Sequence, residues 1–314
     1  MEDRLLQNDR KVNRFTAKLI DLDPGTTYEY VVINDGEYVS EINTFTTAKA
    51  DSSSFSFIWT GDIHNSQIWG KMMLNALEEH PTSKFFMAAG DLVNTGLHRD
   101  DWNELLHLPS KVFASIPFMA VPGNHDSQDG LGAWMYKDMF SYPENAPFPS
   151  MAEMTYAFSY HNAFFLMIDA TFPIGEQTQW IEDQLANSNA DWKFAMFHFP
   201  PYNSIEFYEE IIAEWGPLFD QYHVDMVMSG HFHYYLRTKP INAGKVVENP
   251  SDGTIYLMSI GTTGKNKEMK GAPYAALQFA GDHLYQHLEI SDKTLQYTSY
   301  DLDGNTRDSL ILSK

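Results

Sequence analysis

Cysteine is absent from the 314 residues, which removes disulfide scaffolds, thiolate zinc sites and cysteine nucleophiles together. Any metal must then be held by His, Asp, Glu or Asn. Basic side chains are scarce: 21 Lys and Arg stand against 42 Asp and Glu, for a net charge of −21. Such a chain has no electrostatic footprint for wrapping phosphate backbones, so general nucleic-acid binding is not expected unless bound cations supply positive charge locally. Long apolar runs are missing as well. Residues 85–89 and 163–168 fall far short of the roughly 20 residues that a membrane span needs. The opening MEDRLLQNDRKVNR is charged and polar, so no secretory signal is expected in this chain. A hydrophobic content of 43 % is still ample for a core, and the length suits one large domain with a small appendage.

Residues 12–47 alternate apolar and polar side chains in short β-branched stretches, broken by the turn formers Asp23-Pro24-Gly25 and Asp35-Gly36. The pattern predicts three strands. From Phe55 onward, short apolar runs end abruptly in Gly, Asp, Asn and His: SFSFIWT before GDIH, KFFMAA before GDLVN, PFMAV before PGNHD, KFAMF before HFPPY, VDMVM before SGHFH. Each reads as a buried strand. Segments of helical period lie between several of them, at 68–80, 100–115 and 177–187. Strands interleaved with helices predict a layered α/β sandwich whose loops at the strand ends carry the site. From Tyr274 the alternation returns, predicting an antiparallel meander that closes the domain.

Five of the twelve histidines sit at those strand ends beside Asp or Asn. Asp62 and His64 share GDIH, Asp91 lies in GDLVN, Asn124 and His125 in GNHD, His198 in FHFP, and His231 and His233 in GHFH. Residues two apart on an extended segment face the same side, so Asp62 and His64 can grip one ion together. Imidazole with carboxylate and amide oxygen, and no thiolate, suits iron, manganese or zinc with positions left open for water. The donors exceed one ion's needs. Two ions sharing a carboxylate roughly 3.5–4 Å apart would activate a water between them and clamp the attacking and leaving oxygens of a displacement at phosphorus. The chemistry implied is phosphate ester hydrolysis on a small substrate.

The order D-x-H, GDxx, GNHD, H, GHxH resembles the calcineurin-like metallophosphoesterase superfamily, and within it the purple acid phosphatases and their bacterial relatives. FHFPPYNS around His198 and GHFHYYLR with Tyr235 and Arg237 are supporting matches. LIDLDPGTTYEYVV resembles the later strands of a fibronectin type III sandwich, with Tyr28 at the corner-tyrosine position. The resemblance implies a layered α/β/β/α sandwich over residues 55–314 behind a partial fibronectin III-like β segment over residues 1–48. It further implies that Asp62, His64 and His233 hold one ion, that Asn124, His198 and His231 hold the other, and that Asp91 bridges. His125 would face the substrate rather than a metal, protonating the leaving oxygen, with Asp126 orienting or charging it. Relatives with such a lead-in imply an extracellular or cell-surface setting. One departure stands out: the family's iron-binding tyrosine, three residues after the bridging Asp, is Asn94 here, while His64 is present. The site is therefore expected to be of the general two-metal type, without the purple band.

Two other readings stay open: a phosphodiesterase using the same site, and a silent protein serving adhesion or carbohydrate contact. The remaining histidines are expected to be surface or core residues, with His98, in the loop after GDLVNTG, either solvated or reaching substrate. Tyr202 lines the pocket or packs on the neighbouring prolines. Lys265, Lys267 and Lys270 form a local basic cluster, solvated or steering an anionic substrate. Residues 134–154, with three prolines, read as a long loop or lid that selects substrate.

Overall fold

The computed structural model describes residues 14–50, 54–128, 131–263 and 269–314. The apolar runs become strands because their side chains are buried on both faces. In Ser54–Thr60 every residue after the first is buried, and such continuous runs suit sheets covered on both sides. Two sheets result. One has six strands, in the order Thr306–Ser313, Thr294–Asp301, Leu284–Ser291, Ser54–Thr60, Ser83–Ala88, Phe118–Ala120. The other has seven, in the order Ala275–Phe279, Tyr235–Thr238, Ile255–Met258, Met226–Ser229, Trp192–Met196, Ala163–Met167, Tyr156–Tyr160.

The sheets face each other across an aromatic core. Phe57 meets Phe165 and Phe194 edge-on at 5.3 and 5.6 Å, the arrangement that ring quadrupoles favour. Alternate residues of the same strands point outward. Ile58, Phe86 and Ala88 pack against Trp69, Met72 and Met73 of the helix Ile68–Glu79, while Leu166, Ala195 and Val227 pack against Ile181, Leu185 and Trp215. Helices thus cover both outer faces, giving the layered α/β/β/α sandwich. Helix Ile68–Glu79 buries Trp69, Met72, Met73 and Ala76, one stripe at the helical period. The helical pattern over 100–115 splits into Arg99–His107 and Ser110–Phe113 at Pro109, which has no N–H to continue the ladder.

Three departures from the sequence pattern have physical causes. The expected meander holds only for the last three strands. Ala275–Phe279 crosses to the other sheet and pairs with Tyr235–Thr238, because alternation specifies a face and not a partner. The expected lid at 134–154 is partly regular, with a helix Trp134–Met139 and a turn Pro149–Met151. Met135 and Tyr136 are buried, and the Tyr136 hydroxyl donates to the Ala120 carbonyl at 2.6 Å. At the N-terminus, residues 14–22 are not a strand. Phe15, Leu19 and Ile20 are exposed, and no strand among the described residues pairs with this segment; residues 1–13 lie outside the described residues.

Two small antiparallel pairs follow, Thr27–Tyr30 with Asn43–Thr46 and Ile33–Asn34 with Glu37–Tyr38. The Asp23 N–H donates to the Tyr28 hydroxyl at 2.8 Å, a corner-like fastening. Tyr30 donates to the Ala114 carbonyl at 2.8 Å, tying the segment to the sandwich. Among the described residues no helix is long and apolar enough to cross a membrane.

Candidate metal centre

Parallel strands of both sheets end on one side of the molecule, and open α/β sheets place their sites outside such carboxyl ends. The sheets meet there: Asp62 forms a parallel bridge with Ile260. The Asp91 carbonyl accepts the N–H groups of Ile63 and His64, each at 3.0 Å, so the first loop rests on the second. Glycine makes this packing possible for two reasons. Gly90 has φ +87°, and at Gly123 a Cβ would sit 2.3 Å from both the N and Oδ1 of Asp91. The left-handed backbone that such turns require is otherwise adopted by the polar residues themselves. His64, Asn65, Asp91, His231 and His233 have φ of 51, 52, 49, 79 and 53°, conformations that non-glycine residues hold only when their surroundings enforce them.

The side chains converge. The Nε2 atoms of His64 and His233 lie 3.3 Å apart, and His231 Nδ1 lies 3.2 Å from His198 Nε2. Asp91 Oδ2 stands between the two histidine pairs, 3.5 Å from His64 Nε2 and 3.2 Å from His198 Nε2. Asn124 Oδ1 is 3.1 Å from His198 Nε2, and Asp62 Oδ1 is 4.0 Å from His233 Nε2. Two sets, Asp62 with His64 and His233 and Asp91 with His198 and His231, bring their donor atoms within 4.8 Å of one another. His64, Asp91 and His125 form a third such set, so distance alone does not set His125 apart from the ligands.

Orientation follows from what holds each ring. His198 Nδ1 donates to the Ala89 carbonyl at 2.7 Å, which turns Nε2 toward Asp91, the second-layer arrangement typical of metal-binding histidine. Burial opposes a proton on His198, but Asp91, Asp62 and the Ala89 carbonyl outweigh it and bring the ring to about 9. Burial works against charge on Asp91 too, yet His198 and His64 hold its carboxyl well below the usual range. His64 goes the other way: burial takes it down to about 4 against the pull of Asp62 and Asp91. Imidazole nitrogens facing one another at 3.2–3.3 Å must have a proton or a cation between them, since two lone pairs repel. Divalent ions satisfy that need, and the oxygen and nitrogen donors fit them.

His125 lies at the exposed rim. Its N–H donates to Asp91 Oδ1 at 2.9 Å and its Nδ1 to the Asn94 carbonyl at 2.8 Å, while its ring stands edge-on to His64 at 4.6 Å. Asp126 does not orient that ring. Its buried carboxylate accepts the N–H groups of Leu92, Val93 and Gly123 at 2.9–3.1 Å, bracing the Asp91 loop against the Asn124 loop. Burial and then Asp91 raise its pKa, against the pull of those three donors.

Elsewhere the outcome is plainer. His98 is the residue before helix Arg99–His107, and Tyr202 packs on Tyr256 and Tyr274 at 4.6 and 5.5 Å. Lys265 and Lys267 lie outside the described residues, and Lys270 is exposed.

Sequence reasoning missed three features. Asn65 bridges loops, accepting the Asn94 N–H at 2.7 Å and donating to the Asp101 carbonyl at 2.5 Å. Phe199 and Tyr208, stacked at 5.1 Å, wall the His231 side; nothing in their spacing signals it. Asp169 ends the apolar run AFFLMIDA as the other site residues end theirs, so the same strand-end rule would have found it.

Fold and donor cluster together define a candidate metal centre at the carboxyl ends of two facing sheets. A model of the calcineurin-like phosphoesterase family matches residues 55–235, and the chain belongs to that family. An uncharacterised protein of Mycobacterium tuberculosis is 26 % identical over 269 residues, covering 72 % of this chain and 50 % of its own length. Purple acid phosphatase 18 of Arabidopsis thaliana is 25 % identical over 206 residues, covering 60 % of this chain and 46 % of its own. The chain thus spans about half the length of the curated relatives it matches. In fold it is similar to a purple acid phosphatase from yellow lupin (Lupinus luteus), with a TM-score of 0.82 at 20 % identity over 94 % of this chain and 61 % of that one.

Proposed function

We propose that the chain hydrolyses phosphomonoesters at a two-metal centre. Asp62, His64 and His233 would hold one ion, Asn124, His198 and His231 the other, and Asp91 would serve both. The observation that carries this reading is the pair of facing imidazole contacts, at 3.3 and 3.2 Å, with one carboxylate oxygen within 3.5 Å of each pair. When bound, iron, manganese or zinc would supply activation of water and neutralisation of phosphate charge.

The chain's own residues supply placement. His198 is aimed by Ala89, and Asp91 is pinned by the His125 N–H, so the donors are oriented before any substrate arrives. His125, with Nδ1 engaged by Asn94, keeps Nε2 for the open side, where it would hydrogen-bond the leaving oxygen and deliver its proton. Asp126 acts through the loops it joins, as a positioning residue. The likeness to purple acid phosphatases supports an acid-phosphatase-like preference, and a setting outside the cell follows from that likeness alone.

The test is nitrophenyl phosphate and bis-nitrophenyl phosphate turnover after loading with manganese, iron or zinc, alongside elemental analysis. Faster monoester turnover with two ions per chain is expected. A diester preference would make the protein a phosphodiesterase, and silence across a broad ester panel would favour a binding role.

A further inference from the structure

We propose that the cavity between residues 131–154 and the end of the strand Ala163–Met167 receives the organic part of the phosphate ester, and that it selects an apolar or aromatic group bearing a cationic amine. This rests on the phosphomonoesterase reading. The cavity measures about 650 Å³, within the ordinary range for small-molecule sites.

Both its walls are joined to the metal centre. In the parallel pairing of Ala163–Met167 with Trp192–Met196, Met167 is level with Met196, and the Ile168 N–H extends the ladder to the Met196 carbonyl at 2.9 Å. Two residues beyond that last pair stand Asp169 and His198, close enough for His198 to act on the Asp169 carboxyl. The opposite wall grows from the helix Asn124–Ser127. Gln128 donates from its side chain to the His125 carbonyl at 2.6 Å, and its own carbonyl accepts the Leu131 N–H at 3.3 Å. An ester whose phosphate sits at the centre would therefore have this space beside it.

The lining states what would fit. Leu131 and Trp134 are 65 % and 63 % exposed and line the cavity with Met154 and Phe172. The indole is fastened, its N–H donating to the Leu131 carbonyl. A fixed, open indole face is a platform for a planar group or a cation. Asp169 lines the same cavity and is only 2 % exposed. Thr171 covers its Oδ1 twice, through N–H at 2.9 Å and hydroxyl at 2.6 Å. Among the described residues no side-chain donor reaches Oδ2. Burial pushes the carboxyl up to about 6 against the Thr171 donors, the Phe172 N–H and a weaker pull from His198, leaving it ionised at neutral pH with no ion pair of its own among the described residues. A ligand ammonium would answer that charge, and a ligand carboxylate would be repelled. The rim charges, Lys137 and Asp138, oppose each other, and Lys137 Nζ is already engaged by the Pro149 carbonyl at 3.3 Å.

Three aryl esters of matched shape test this: tyramine O-phosphate, 4-ethylphenyl phosphate and 4-(2-carboxyethyl)phenyl phosphate, with kcat/KM read on the manganese-loaded protein. The amine should exceed the neutral ester by about tenfold, as a charge-assisted hydrogen bond allows, and the acid should be poorest. Asp169→Asn, whose amide oxygen keeps both Thr171 bonds, should bring the amine-to-neutral ratio close to one. Trp134→Ala, at an exposed position, should lower both of those esters relative to ethyl phosphate. Saturation-transfer NMR with phenethylamine gives a readout free of turnover: contact with the protein, lost in Asp169→Asn. Hydrolysis of all three esters at equal efficiency, or an amine preference that survives Asp169→Asn, would overturn the proposal. If no ester is hydrolysed, the phosphomonoesterase reading fails, and the phenethylamine spectrum alone decides for or against the cavity.

Discussion

Two places in this molecule bring imidazoles together, and they do so in opposite ways. At the strand ends the rings of His64 and His233, and of His198 and His231, meet at 74 and 77° with nitrogens pointing at each other and carboxylates of Asp62 and Asp91 among them. On the flank of the six-stranded sheet, His80 and His287 lie flat on one another, 3.9 Å apart at 9°. Their Nε2 atoms are buried, and neither has a hydrogen-bond partner among the described residues. The first arrangement holds lone pairs and negative charge where a cation would sit. The second holds two neutral rings, with His80 also against Tyr285 and Tyr300 and Glu79 and Glu289 acting on His80 only weakly enough that burial still lowers it. Histidine proximity is therefore no metal signal by itself; convergence of nitrogens around a carboxylate is.

The sharpest way to break this contrast is Asp91→Ala. Removing the shared oxygen should strip both ions and lower turnover by about a thousandfold or more, read by elemental analysis and nitrophenyl phosphate assay. Retained metal would show that the two histidine pairs bind independently of the carboxylate. His125→Ala comes next. Metal should stay while kcat falls by about a hundredfold, the usual scale for a proton donor; loss of metal would instead make His125 a ligand, as its place in the third donor set allows.

A smaller effect concerns the flat pair. Burial, and then His80, take His287 down to about 3, and His80 is lowered as well. The unfolded chain then binds more protons than the folded one below the ordinary imidazole pKa of about 6.5. Their contribution to stability is present above that pH and is lost as pH falls toward 3. Going from pH 7 to pH 5 should cost roughly 1–2 kcal/mol through this pair. His287→Phe should show a shallower loss in urea unfolding at the two pH values, with metal content and turnover unchanged. An equal slope in variant and parent would mean that the flat pair is already relieved by solvent. The smallest effect is spectroscopic. With Asn94 in the place of a tyrosine, the iron-loaded protein should lack an intense visible band, and a purple sample would point to another phenolate at the centre.

The strands of the sandwich were legible because burial on both faces writes itself as unbroken apolar runs such as SFSFIWT and KFAMF, and their sudden end in Gly-Asp or His marked the site. Helix Ile68–Glu79 was legible from Trp69, Met72, Met73 and Ala76 at one period. Less could be read where the pattern names a face but not a neighbour. Ala275–Phe279 reads like the strands after it, yet it joins the opposite sheet. Residues 14–22 carry strand chemistry but pair with no strand among the described residues. Asp126 sits beside His125 in the chain while its carboxylate faces the backbone of Leu92, Val93 and Gly123, since a short helix sends adjacent side chains in different directions.

The amino-acid sequence by itself determined the kinds of atom available, nitrogen and oxygen donors without sulfur, and the strand ends on which they stand. That information is local, because a side chain's chemistry and a strand's burial pattern need no distant partner. Only the tertiary structure decided that Asp62 would bridge to Ile260, that five polar residues of the site would take left-handed backbone, and that Asp169 would come within the electrostatic reach of His198. Those outcomes depend on the register between strands far apart in the chain, which is set by the packing of two whole sheets.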